Sequence, residues 1–282
     1  MSLWLCLRFP LLPLQCQTLD ETQPVAVLEQ QRVVCANDCA SSLGVRARMA
    51  TASVRALAQD LPLQLLARNR NSEQHCLQQL CCWAYGITPR LYTWQEDCLQ
   101  LEIGSCLTLH RGLNTLLSGI QRALQARGYR VEAGLAPTPK AAWLLSFHDD
   151  GSDTQQPEAW QERIGALPLA LLHTFPKAVA ALERAGLRRF ADIFTLPEAA
   201  LTRRCGKDFV HYLRQVTGRE ADLEPDYQPP QQFSDQYWFG YEVKTTAELL
   251  PAIEQLLQSL CGFLRQTQLQ SSRIDWQLLA VD

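Results

Sequence analysis

Residues Tyr92–Ser105, YTWQEDCLQLEIGS, decide how the rest of the chain is read. Leu99, Leu101 and Ile103 alternate with Gln100 and Glu102. A period of two predicts a half-buried strand. Glu96 and Asp97 stand at its start, followed by Cys98. Paired carboxylates there are the residue type that holds hard cations, so this is the place to look for metal-dependent chemistry. Pro89–Thr93 reads as the other arm of a hairpin with Cys98–Ile103.

Upstream, Leu3–Leu7 reads as a strand ended by Pro10 and Pro13. Pro24–Glu29 and Arg32–Ala36 form a strand pair around a short turn. Asn37-Asp38 offers a cap for a short helix that stops at Gly44. A second helix lies within Val45–Ala58, closed by Pro62. Asn71-Ser72, with Glu73 behind, caps a helix carrying Leu77, Leu80 and Trp83 and ending at Gly86. Downstream, Asn114–Arg127 is a helix with Leu116, Leu117, Ile120 and Leu124 on one face. Tyr129–Leu135 is a strand, and Thr138 caps a helix over Lys140–Phe147. Strand–helix–strand–strand–helix–strand with an insertion predicts an α+β sheet with helices on one side.

His148–Pro157 is polar and turn-rich, a linker. Leu167–Gly218 is helical throughout. Glu220–Gln232, with Pro225, Pro229 and Pro230, is a second linker. A strand (Phe233–Val243), a long leucine-rich helix and a strand (Ile274–Ala280) follow.

The 282 residues suffice for two or three domains, and a net charge of −3 means that any basic surface is local. The eleven Cys are irregularly spaced with no CxxC, which reads as reduced thiols of a cytoplasmic protein. The apolar start lacks a basic n-region, Arg8 interrupts it, and Gln15 is not a small residue before Cys16. No apolar run reaches the roughly 18 residues of a membrane span.

The order and spacing of these motifs resemble the Y-family (translesion) DNA polymerases, and most closely the ImuB branch. LWLCLRFPLLPLQ is similar to the first palm strand, and PVAVLEQQRVVCANDCASSLGVRARM to the strand pair and fingers entry. DCLQLEIGS is similar to the second metal strand, and YRVEAGLAPTPKAAWLLS to the strand and helix after it. FTLPEAALTRRCGKDFVHYLRQVTG resembles the thumb. The resemblance implies a palm (1–36 and 76–165), fingers (37–75), a helical thumb (166–222) and the first half of a little-finger domain (223–282). It also implies that the chain is a fragment or a truncated homologue, because the little finger would stop halfway.

Phosphoryl transfer in this family needs two Mg²⁺ ions held by converging carboxylates. Aligned on the family's motif, the first strand has Leu7 and Phe9 at the carboxylate positions, and Cys98 follows Asp97 where an Asp-Glu pair is expected. Asp97 would be a vestige. The triphosphate ligands are replaced by Asp38, Ser41 and Trp143, and a carboxylate at 38 would repel a triphosphate. In the thumb, Arg203, Arg204, Gly206 and Lys207 form a helix start suited to a DNA phosphate. His173–Pro176 lacks the Gly-x-Gly of the first thumb hairpin. The resemblance therefore implies a non-catalytic polymerase-like subunit of error-prone repair without a cofactor. Its partners would be DNA, a RecA-like accessory protein, an error-prone C-family polymerase and the sliding clamp, with no membrane. The rival readings are an active translesion polymerase using Mg²⁺ and an unrelated α/β interaction module.

Overall fold

In the computed structural model, residues 2–18, 22–57, 62–147, 159–230, 232–237, 239, 243–267 and 269–278 are described. β1 (Trp4–Arg8) is an inner strand of a four-stranded sheet, bonded on one side to β6 (Cys98–Glu102) and on the other to β7 (Glu132–Ala136). β5 (Leu91–Trp94) closes the order β5-β6-β1-β7, and every pairing is antiparallel. With α4 (Arg70–Tyr85) between β1 and β5, and α5 (Leu113–Ala126) between β6 and β7, this is the expected strand–helix–strand–strand–helix–strand order, but helices cover both faces of the sheet and not the single side expected.

The parity of β1 divides the core. Leu5 and Leu7 share one face with Leu99, Leu101 and Leu135, packed with Leu77, Leu80, Leu116, Ile120 and Leu124 of α4 and α5. Trp4 and Cys6 share the other face with Cys98, Tyr92 and Ala136. That face is covered by α6 (Pro139–Leu145) and the helices that follow. The expected half-buried strand is thus buried on both faces, with Gln100 and Glu102 as inaccessible as their leucine neighbours. The Glu102 carboxylate accepts from the Leu3 N–H (3.3 Å) and from Ser105 Oγ (2.5 Å), so its burial is satisfied. Gly134 is obligatory on β7, because a Cβ there would lie 2.0 Å from the Ala142 carbonyl oxygen of α6.

Between β1 and α4 lies a three-stranded sheet, β3-β2-β4, formed by β2 (Val25–Glu29), β3 (Arg32–Ala36) and β4 (Gln64–Ala67). Val25–Ala36 therefore pairs with the inserted segment and not with the sheet into which the sequence reading grouped residues 1–36. β4, parallel to β2, escaped that reading because four residues carry too little alternation. α1 (Leu12–Gln15) takes Pro13 into its first turn, where proline lacks nothing, instead of being blocked by it. Asn37 caps α2 (Asp38–Ser42) as expected, its side chain accepting the Ala40 N–H at 2.9 Å. α3 spans Thr51–Leu57. The cap of α4 is Asn69, two residues before the expected Asn71.

Among the described residues that follow are the α-helices α7 (Trp160–Ala166), α8 (Pro176–Arg184), α9 (Phe190–Phe194), α10 (Glu198–Cys205) and α11 (Lys207–Val216). The linker expected over 148–157 lies outside the described residues. After α11 the chain runs as a strap along β5, where the Tyr227 N–H donates to the Leu91 carbonyl at 2.6 Å. α12 (Thr246–Thr267) packs on α4. The described residues in 233–243, and residues 274–278, are irregular, so neither expected terminal strand is found among the described residues. No helix among the described residues is long and apolar enough to cross a membrane.

Candidate functional site

The register of β1 with β6 locates the site. Leu7 pairs with Leu99, and Arg8 pairs with Cys98. Cross-strand partners point to the same face. Leu7, at 1% exposure, therefore points into the core under α4 and α5. Phe9 is buried in that core against Tyr129, with ring centroids 5.9 Å apart. The first-strand residue paired with Cys98, on the face it shares with Trp4 and Cys6, is Arg8, and the Phe9 N–H continues the ladder to the Asp97 carbonyl at 2.9 Å.

Arg8 is held from several directions. Its guanidinium bonds to Glu132 of β7, its Nε lies 3.3 Å from Ser146 Oγ, and its charge lies 3.9 Å from the centroid of Phe147. Next to it, the Cys98 Sγ–H donates to Asp97 Oδ1 at 3.1 Å. Burial raises the Asp97 carboxyl above its ordinary range, while the Cys98 thiol and the nearby Arg8 charge pull the other way. The Cys98 thiol is pushed far upward by burial and by Cys6 and Asp97, so it is a neutral donor. Among the described residues, no three His, Cys, Asp or Glu side chains converge as a metal site. The residues present do not fit a pair of Mg²⁺ ions: one half-buried carboxyl, one neutral thiol and an arginine tied to Glu132 do not offer the converging oxygen ligands that two such ions need.

Glu96 faces away into a different network, bonded to Arg68 and Arg70. Asp38 opens α2, exposed, and is gripped by Arg130 Nη1 at 2.8 and 2.9 Å. Ser41 lies one turn on, its N–H bonded to the Asn37 carbonyl. Trp143 is 3% exposed and wedged edge-on against Phe147 and His173 within the core.

In the helical cluster, Gly206 joins α10 to α11 with φ +93°, a conformation that favours glycine. Arg203, Arg204 and Lys207 are exposed around this turn, and none makes an ion pair among the described residues. Arg214 and Arg219, by contrast, are both spent on Glu198.

Sequence reasoning missed Arg8. The signal was its parity: Leu3, Leu5 and Leu7 form one alternating set and Trp4, Cys6 and Arg8 the other, so the polar residue belongs to the face opposite the leucines. Glu132 and Lys140 had no sequence signal, since only the fold brings them to their partners.

Residues 13–147 match the impB/mucB/samB family. The fold is similar to that of a ternary complex of Dbh DNA polymerase, at a TM-score of 0.61 and 14% identity over 91% of this chain and 79% of that one. It is also similar to DinB from Sulfolobus solfataricus, at 0.58 and 15% over 78% and 68%. The chain thus carries an impB/mucB/samB domain over residues 13–147 and has the fold of the Y-family polymerases, with the four-stranded sheet in the place of their palm, the inserted sheet in that of their fingers and α7–α11 in that of their thumb. It is 26% identical over 191 residues to Protein ImuB of Caulobacter vibrioides, over 68% of this chain and 42% of that protein. The match therefore spans less than half the length of this relative.

Proposed function

We propose that this protein is a non-catalytic, polymerase-like subunit of error-prone translesion repair that binds damaged or primed DNA. Arg8 carries the reading: a fixed cation stands beside Asp97 on the face where the fold's metal carboxylates would converge. The triphosphate side agrees. Asp38 is negative and engaged with Arg130, and Trp143 is sealed in the core. By resemblance, the partners are a RecA-like protein, an error-prone C-family polymerase and the sliding clamp. DNA is held at the turn carrying Arg203, Arg204, Gly206 and Lys207.

Two measurements test this. Purified protein with a primed template and Mg²⁺ or Mn²⁺ is expected to add no nucleotide; incorporation that Asp97→Ala abolishes would establish the rival reading of an active polymerase. Arg204→Ala with Lys207→Ala is expected to weaken DNA binding across all sequences and to reduce the slope of log K against log salt by about 1 for each lost phosphate contact. An unchanged slope would place the DNA surface elsewhere.

A further inference from the structure

Five buried side-chain atoms crowd one seam without a hydrogen-bond partner: Tyr92 Oη, Trp94 Nε1, Gln100 Oε1, Tyr212 Oη and Asp222 Oδ2. Tyr92 and Gln100 are cross-strand partners on β5 and β6, so their side chains share a face. Gln100 Nε2 donates to the Pro139 carbonyl at 3.1 Å. The next residue, Lys140, sends its ammonium into the middle. Lys140 Nζ lies 2.9 Å from Asp222 Oδ1, 5.2 Å from the Trp94 ring centroid and 5.5 Å from that of Tyr212, and it also bonds to Gln215 Oε1. Lys140 and Asp222 thus form a buried ion pair against the rings of Trp94 and Tyr212, and both of its side chains are less than a tenth exposed.

We propose that this seam is a closed polar site that takes a small cluster of ordered water molecules. The hydrogen-bond inventory sets the occupant. Tyr92, Trp94 and Tyr212 bring three unused donor hydrogens, and Gln100 and Asp222 bring two unused acceptors. Lys140 and Asp222 cancel in charge, so an added ion of either sign would be unbalanced. A neutral molecule that both donates and accepts fits, and water with two to four polar partners is the smallest one. The alternative, five groups buried and unpaired, would carry a penalty rivalling the net stability of a domain.

The position gives the site a role. Tyr92, Trp94 and Gln100 belong to the palm, Tyr212 to the thumb, and Asp222 to the strap that leaves the thumb. The thumb therefore meets the palm partly through solvent, and its angle depends on bonds that water can re-form when the contact shifts.

A high-resolution crystal structure is expected to show water within about 2.7–3.2 Å of Tyr212 Oη and Asp222 Oδ2. A seam in which the five atoms bond directly to one another would overturn the proposal. Tyr92→Phe and Tyr212→Phe keep the ring and remove one hydroxyl each. Each is expected to lower Tm by a few degrees, and the double variant by less than the sum, because both hydroxyls serve one network. A Tm that is unchanged or raised in either single variant would mean a dry, unpaired hydroxyl, and strictly additive losses would mean separate partners; both outcomes overturn the shared cluster.

Discussion

Leu7→Asp is expected to destroy cooperative folding, whereas Arg8→Asp is expected to leave a folded protein that has gained affinity for Mn²⁺. Position 7 is the one at which aligning motifs suggests restoring a metal ligand. Its side chain, however, is sealed between α4 and α5 with Leu5, Leu99 and Leu101. The substitution loses about 1.5–3 kcal/mol of leucine burial. It also buries a carboxyl with no partner, which costs roughly 2–7 kcal/mol even when the group stays neutral. Together these rival the whole stability of about 5–15 kcal/mol for an ordinary domain. At position 8 the new carboxylate would face Asp97 and Glu132 instead, after removal of the cation between them. Three acidic groups on one face then repel one another until a divalent ion binds. Urea denaturation checks the first half of the comparison. Thermal unfolding with and without Mn²⁺ checks the second, since an ion that binds only the folded state raises Tm. If Leu7→Asp unfolds like the parent protein, the register of β1 is wrong and Arg8 does not face the site.

This contrast shows what the sequence could and could not reveal. The apolar run of β1 and the alternation of β6 located those strands to within a residue, whereas β7 begins three residues later than its reading from Tyr129. Asn37 and Gly44 were legible because the ends of α2 need a side-chain acceptor and a left-handed residue. Motif alignment failed at Leu7, where a slip of a single residue exchanges the two faces of a strand. Following the parity of the leucines instead of the motif would have avoided the slip. The site around Lys140 was illegible for another reason. Tyr92, Gln100, Lys140, Tyr212 and Asp222 are scattered over 130 positions of sequence (222 − 92), and nothing local marks any of them as polar and buried. Phe233–Val243 and Ile274–Ala280 have strand composition, but composition does not supply a pairing partner, and their described residues form no ladder.

The fingers are joined to the palm by charge, and Arg68→Ala is expected to cost about 3–5 kcal/mol of stability. Arg68 follows β4, and its N–H donates to the Leu28 carbonyl of β2, so its backbone belongs to the fingers sheet. Its guanidinium reaches Glu73 on α4 at 2.6 and 2.7 Å, Glu29 of β2 at 3.0 Å and Glu96 of the β5–β6 turn at 2.9 Å. Arg70 bonds to Glu29 and Glu96 from the solvent side. Glu73 is the costly member: with its side chain 5% exposed, loss of Arg68 leaves a buried carboxylate without its counter-ion. Lysine should not rescue, since one ammonium cannot replace a forked donor that bridges three carboxylates. Arg70→Ala, at an exposed and solvent-screened site, should cost far less than Arg68→Ala. The network also has an acid signature. Arg70, then Arg68, holds the carboxyls of Glu29 and Glu96 below their usual range. A carboxyl depressed on folding adds stability above its unfolded pKa, and that stability is lost as pH falls through the lower folded value. Both carboxyls lie near the surface, so this part should be small and should fade with salt. Urea midpoints of wild type, Arg68→Ala, Arg70→Ala and the double variant Arg68→Met/Glu73→Leu decide the matter. Replacing both members of the buried pair by apolar side chains should recover most of the loss, because no charge is then left buried alone. If Arg68→Ala costs no more than Arg70→Ala, the buried pair contributes nothing, and the fingers are held to the palm by their apolar contacts.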